Sequence, residues 1–153
     1  MGIEIKPSSL KVSQHTMFSS EISTVWTAFV ANNRNWKSIF GENYNPKKLS
    51  ISYAILKDQS ITIKLNSPID SNNCPIKWME KGYNEFEFEL FLEQIHSVDI
   101  SNLIFCGPIQ ITIEKKPSEY EIRLKISDMC TVNCKADRIS ISNISAYHND
   151  YSE

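Results

Sequence analysis

The pattern of apolar and polar residues changes its period once along the chain, close to Pro46. Before that proline, apolar residues recur at spacings of three and four, which is typical of helices with one buried stripe. After it they alternate with polar residues, which is the period of a strand with one buried face. We therefore predict a helical segment near the N-terminus and a β-rich remainder.

The segment before Pro46 predicts two helices. The first covers residues 19–33, where Ser19 or Ser20 supplies a capping hydroxyl. Its apolar stripe consists of Ile22, Val25, Trp26, Phe29 and Val30. The second covers residues 33–40, and Gly41 follows where a left-handed residue usually ends a helix. Ahead of both, apolar alternation at residues 3–5 and 10–12 indicates one or two short strands.

Eight segments after Pro46 alternate apolar and polar residues. They are residues 49–56, 61–65, 84–92, 97–103, 109–116, 119–127, 129–136 and 138–145. Short turns between most of them force antiparallel neighbours, and one-sided alternation means that one face is packed. We predict a mainly β α+β domain: an antiparallel meander of seven to eight strands, curled or folded as a sandwich, with one or two N-terminal helices packed on it. The connection over residues 66–83 is long enough to suggest a functional loop.

Composition limits the class of protein. The 153 residues suit one domain, residues 1–153, with 41% hydrophobic and 22% charged residues. A net charge of −2 argues against a nucleic-acid partner. We find no apolar stretch that would span a membrane and no apolar segment of a signal peptide, so we expect a cytoplasmic protein. Its four cysteines are then free thiols, which we interpret as small buried hydrophobes.

Three glutamates, Glu85, Glu87 and Glu89, fall on one side of the predicted strand 84–92. Alternate strand residues stand about 6.6 Å apart on one face. Three exposed neighbours share one environment, so their pKa values should be similar. A catalytic pair needs different pKa values, so that one carboxyl group acts as an acid and the other as a base. We interpret the row as a solvated outer face balanced across strands by Lys64, Arg123 and Lys125, with a partner-binding surface as the functional alternative.

No other group of residues predicts chemistry. Cys130 and Cys134 lie on a predicted strand about 13 Å apart, too far to chelate one ion together. The three histidines are scattered, and no nucleophile, phosphate-binding or metalloprotease motif occurs. We predict no catalytic residue, no metal and no cofactor. A convergent trio of His96, Cys106 and a carboxylate would be needed to support an enzyme.

The order of these features resembles the immunity protein 50 family of bacterial toxin systems over residues 35–148. In that family a helix ends in a Phe-Gly turn before a proline, two strands lead to a P-x-K-W element, and a Tyr-Asn strand and a closing I-x-x-I-S-x-Y strand follow. The matching positions here are Phe40, Gly41, Pro46, Pro75, Lys77, Trp78, Gly82, Tyr83, Asn84, Ile141, Ile144 and Tyr147.

The resemblance implies a non-enzymatic antidote that binds a cognate toxin domain and blocks it. We expect a monomer when free, with no nucleic-acid or membrane partner. The predicted binding surface joins the long connection to the carboxylate row. It consists of Asn72, Asn73, Trp78, Glu80, Glu85, Glu87 and Glu89. The alternative function is a small-ligand or glycan-binding β-domain, in which Trp78 and Tyr83 would line a pocket.

Overall fold

The computed structural model describes residues 21–23 and 25–151. The strands are β1 (Glu21–Ser23), β2 (Ser50–Lys57), β3 (Ser60–Pro68), β4 (Glu85–Ser101), β5 (Gly107–Lys115), β6 (Tyr120–Ile126) and β7 (Cys130–Tyr147). A 3₁₀ helix spans Trp26–Phe29, and two short α-helices follow as α1 (Arg34–Phe40) and α2 (Ile76–Glu80). The strands predicted at residues 3–5 and 10–12 lie outside the described residues, as does His15.

The seven strands found among the described residues belong to one sheet, in the order β1-β5-β2-β3-β4-β7-β6. Every neighbouring pair is antiparallel. Because β5 pairs with β6 as well as with β2, the sheet curls until it closes on itself. The predicted mainly β, antiparallel fold is thus confirmed. Of the two predicted arrangements, a curled sheet and a sandwich, the structure has the curled sheet.

Two predicted pairs of strands are in fact single long strands. Residues 84–92 and 97–103 form β4, and residues 129–136 and 138–145 form β7. The register between β4 and β7 shifts between Ile95 and Ser97, and Gln94 just before it has a φ of 54°. A bulge adds one residue to a strand and reverses the phase of the alternation, so one bent strand reads as two.

The helix predicted over residues 19–33 is wrong for the residues that the structure describes, and the predicted capping residues Ser19 and Ser20 lie outside them. Glu21–Ser23 pairs with β5, and only Trp26–Phe29 turns, as a 3₁₀ helix. Val30 is already extended, and Ala31 bridges to Ser140 of β7. The helix-like spacing arose because Trp26, at the start of the 3₁₀ helix, and Val30, in the extended backbone after it, both reach the core. The second predicted helix is confirmed as α1, and Gly41 after it has a φ of 84°.

The core fills the inside of the curled sheet and is aromatic at one end. Trp36 is 2% exposed, and its ring centroid lies 4.5 Å from that of Phe40 and 5.0 Å from that of Phe88. Its indole N–H donates to the Tyr44 carbonyl at 3.3 Å. Trp26 stacks on Phe88. The 3₁₀ helix and α1 therefore close this end of the sheet with large rings.

The hairpin of β2 and β3 departs from the predicted pattern in its first strand. Tyr53 and Ile55, expected to face inward, are 43% and 51% exposed. The register shifts between Ile51 and Tyr53, so Ser52 is an extra residue and the later side chains change face.

No helix in the described part of the chain is long and apolar enough to cross a membrane.

Candidate functional site

The connection predicted as a loop over residues 66–83 contains the last residues of β3 and the helix α2. Asp70 organises the turn before α2: its two carboxylate oxygens accept from the Asn72 backbone N–H at 3.0 Å and from the Asn73 side-chain amide at 2.9 Å. These hydrogen bonds lower the pKa of Asp70. Asn72 is exposed and Asn73 is half-buried, so of the two predicted contact residues Asn72 is the more available.

Trp78 fixes α2 onto the end of the core. Its ring packs edge-on against Phe40 at 5.8 Å and lies 6.2 Å from the ring of Phe86. On the solvent side of the helix, Ile76 is 76% exposed and Met79 is 47% exposed. Sequence reasoning missed these two residues because the connection was expected to lack a helix. Glu80, at the end of α2, is exposed as predicted.

Glu85 is not on the solvated face, and that part of the prediction is wrong. The residue is 6% exposed. One carboxylate oxygen accepts from the Tyr147 hydroxyl and from the Asn66 side-chain amide, both at 2.6 Å, and the other accepts from the Asn149 side-chain amide at 2.7 Å. The side chain does leave the sheet on the predicted outer side, but β7 and the residues after it cover it.

These contacts keep Glu85 ionised. Burial raises the pKa of Glu85, but the hydrogen bonds from Tyr147, Asn149 and Asn66 together outweigh it, so the net pKa lies below its ordinary value. Burial and the bond to the carboxylate raise the pKa of Tyr147 to about 12. The tyrosine is therefore a fixed donor at neutral pH, and the cluster holds a charge in place.

The cluster also ties the C-terminal segment to the start of β4. Asn84 accepts from the Asn149 backbone N–H at 2.7 Å and donates to its carbonyl at 2.9 Å. His148 contacts the Gly82 carbonyl at 3.1 Å through Nδ1. Two positions that carry the family resemblance, Asn84 and Tyr147, thus belong to one hydrogen-bonded clasp whose members are far apart in sequence.

Glu87 and Glu89 remain on the outer face of β4, both half-buried. Lys64 of β3 pairs with Glu87 at 3.0 Å, as predicted, and the Asn143 amide donates to Glu89 at 2.8 Å. The predicted partners Arg123 and Lys125 are wrong, since β6 carries them between β5 and β7 and does not pair with β4. The carboxylate row is therefore less uniform than the sequence indicated.

The four cysteines and the two described histidines lie in different environments. Cys130 and Cys134 are buried in β7 as predicted, whereas Cys106 is exposed and Cys74 is half-buried. Burial raises the pKa of Cys134 to about 11. His96 pairs with Asp137 on the surface, and the hydrogen bond raises the pKa of His96. Among residues 21–23 and 25–151, no group of three His, Cys, Asp or Glu side chains is arranged to hold a metal ion.

Described residues line at least two surface grooves that are large enough for a small ligand. One, of about 420 Å³, lies over the outer faces of β4, β7, β6 and β5, and its lining includes Asp99, Glu121 and Arg123. The other, of about 530 Å³, lies between residues 42–48 and 67–73. Charged and amide side chains line most of both, and neither groove contains Trp78 or Tyr83. These grooves do not match the aromatic pocket that the alternative function requires.

Comparison with known proteins gives one match. A family model described as Immunity protein 50 matches residues 32–147. The matched region runs from just before α1 to the end of β7 and so includes α2 and, from the clasp, Asn84, Glu85 and Tyr147, while Asn149 lies beyond it. No curated protein and no solved structure matches the chain.

Proposed function

The chain belongs to the Immunity protein 50 family, and on that premise we propose that it binds a cognate bacterial toxin domain and blocks it without catalysing a reaction. The family match carries this proposal. Protection by occlusion requires that the antidote outcompete the toxin's substrate inside the producing cell. The complex must therefore be tight, which calls for a few well-packed anchors in an interface of standard size, roughly 1,600 Å² in total.

We place the binding surface on α2 and on the outer face of β4 beside it. It keeps the predicted residues Asn72, Asn73, Glu80, Glu87 and Glu89 and adds Ile76 and Met79. The two apolar side chains supply the anchors. Both are exposed on α2, and exposed neighbouring apolar side chains are typical of a surface that binds a partner. The glutamates form an acidic flank that would speed association with a basic toxin.

Trp78 and Glu85 support this surface from beneath. Trp78 packs on Phe40 and Phe86. This packing holds α2 in place before the toxin binds, so binding does not have to order the helix. Glu85 holds the start of β4 to the C-terminal segment through Tyr147 and Asn149. A surface that is already rigid loses less entropy on binding and binds more tightly for the same contacts.

The test is co-expression with the toxin domain encoded beside this chain in its own genome. The variant Glu80→Lys, Glu87→Lys, Glu89→Lys reverses the acidic flank and spares the buried Glu85. We expect it to fold and to lose protection, and we expect Ile76→Lys alone to weaken capture of the toxin domain in a pull-down.

A matched control reverses as many charges elsewhere. Glu119→Lys, Glu121→Lys, Asp128→Lys changes carboxylates on β6 and on the turns at its two ends, and β6 pairs with β5 and β7 and not with β4. This control should protect fully. Equal protection by both triple variants would remove α2 and the outer face of β4 from the interface, while a toxin domain that no form of the chain captures would contradict the proposed function itself.

A further inference from the structure

The second edge of β2 is open over most of its length. Among the described residues, β2 pairs with β5 only through Ser50 and Ile51, whereas its pairing with β3 continues to Lys57. The bulge at Ser52 explains the separation, since a bulge bends the strand that carries it. In an antiparallel strand, every second residue directs its backbone N–H and C=O away from the paired neighbour. Residues 53–57 therefore offer strand-pairing groups to another chain.

The open edge is apolar on both faces of the sheet. Tyr53 and Ile55 project from the outer face and are 43% and 51% exposed, while Leu56 projects from the inner face and is 50% exposed. Natural edges are usually protected by charges, prolines or coverage. The end of β4 that pairs with β7 but not with β3 shows such protection, since Ser97, Asp99 and Ser101 alternate along it. The β2 edge has only Lys57, at its last position.

The residues of this edge complement a second copy of themselves. When two copies run antiparallel about a two-fold axis at Ile55, that residue meets its own equivalent. Tyr53 then lies opposite Lys57, and the lysine ammonium group can make a cation–π contact with the face of the tyrosine ring. Ala54 lies opposite Leu56, so a small residue meets a large one. Each of these pairs lies on one face of the joined sheet.

We propose that the chain forms a symmetric dimer in which the two β2 edges pair antiparallel across Ile55. This replaces the monomer expected from the sequence and does not depend on the toxin. A two-fold pairing closes on itself, so it yields a dimer and not a filament. About five residues per copy take part, against 20–30 in a standard interface, so we expect a reversible dimer with a dissociation constant on the order of 100 μM.

The experiment is sedimentation velocity on the full chain between about 5 μM and 1 mM. The average mass should rise from that of one chain toward that of two. Ile55→Lys places two ammonium groups opposite each other at the axis and should weaken association at least about tenfold. Ile76→Lys is the matched control, because it makes the same exposed substitution on α2, and it should dimerise like the parent. If Ile55→Lys is misfolded by circular dichroism, Ile55→Thr keeps a strand-forming residue and should still weaken the dimer.

Hydrogen exchange distinguishes the remaining occupants of the edge. In the dimer, the amides of residues 53–57 that do not pair with β3 should become protected only as concentration rises. Protection at low concentration in a monomer would mean that the same chain covers the edge, and would overturn the proposal. So would a chain that stays monomeric at 1 mM, or a dimer that Ile55→Lys leaves intact. A monomer in which Ile55→Lys abolishes toxin capture would assign the edge to the toxin instead.

Discussion

Replacing Glu85 by glutamine tests the clasp that joins the start of β4 to the C-terminal segment. The substitution keeps the size of the side chain but removes its charge. It also puts an NH₂ group where one of the carboxylate oxygens accepts hydrogen bonds. Whichever way the new amide turns, at least one of the donors from Asn66, Tyr147 and Asn149 loses its acceptor.

The magnitude follows from the charge and the burial. A hydrogen bond to a charged group contributes about 1.5–3 kcal/mol, and a buried donor left without a partner costs a similar amount. Because local relaxation recovers part of this, we expect Glu85→Gln to lower the free energy of unfolding by about 2 kcal/mol at pH 7. Glu87→Gln is the control: its ion pair with Lys64 lies on the outer face, where both side chains keep part of their access to water, so we expect a smaller loss of about 1 kcal/mol.

The pH dependence identifies the cause. The pKa of Glu85 is lowered in the folded state, so its contribution is complete above the unfolded-state pKa of about 4.3 and is lost as pH falls through the lower folded value. Urea unfolding followed by circular dichroism at pH 7 and in steps below pH 4.5 should show the gap between parent and Glu85→Gln closing in acid. Equal stability at pH 7, or a gap that does not change in acid, would refute the assignment of a buried carboxylate held by hydrogen bonds.

Three further predictions concern the core, a turn and the surface. Trp36→Ala should lower the free energy of unfolding by about 3–5 kcal/mol, because a nearly buried indole among five aromatic rings is replaced by a cavity, and chemical denaturation measures it. Gly107→Ala should cost about 1–3 kcal/mol, because Gly107 has a φ of 94° and a Cβ there would meet Ser127 Oγ; adding Ser127→Ala should recover part of the loss, and an additive double variant would argue against the contact. Asp137→Asn should lower the pKa of His96, which its hydrogen bond to Asp137 raises, and an unchanged histidine titration by NMR would contradict the pair.

Alternation of apolar and polar residues predicted the sides of the strands well. Phe86, Phe88, Leu90 and Leu92 are all fully buried on one face of β4, as the pattern indicated. It failed where a bulge reverses the phase. Tyr53 and Ile55 came out exposed because the extra residue Ser52 is visible only once the pairing with β3 is known.

The burial of Glu85 could not be predicted from the sequence, for a different reason. A strand pattern assigns a side chain to a face, but it does not say what else lies on that face. The groups that cover Glu85 come from Tyr147 and Asn149, more than 60 residues later in the chain. Local sequence carries no signal of that contact, although two asparagines and a tyrosine at the ends of strands are the kind of donors that a buried carboxylate requires.

The proposed binding surface overlaps the one predicted from the sequence and stays a prediction. The length of the connection over residues 66–83 drew attention to this region, and the structure shows that Trp78 packs α2 onto the core. The exposed side chains of Ile76 and Met79 were not singled out because five helical residues are too few to establish a period. Once α2 is recognised, their spacing of three places them together, on the side that Trp78 leaves to solvent.

The most direct measurement is the titration of the purified chain into the toxin domain that we propose as its partner, with binding followed by calorimetry and toxin activity assayed in the same samples. We expect a tight complex and complete loss of toxin activity at one chain per toxin domain. Binding should weaken for Ile76→Lys and stay unchanged for Ile55→Lys. A toxin domain that remains fully active with the chain in excess would contradict it.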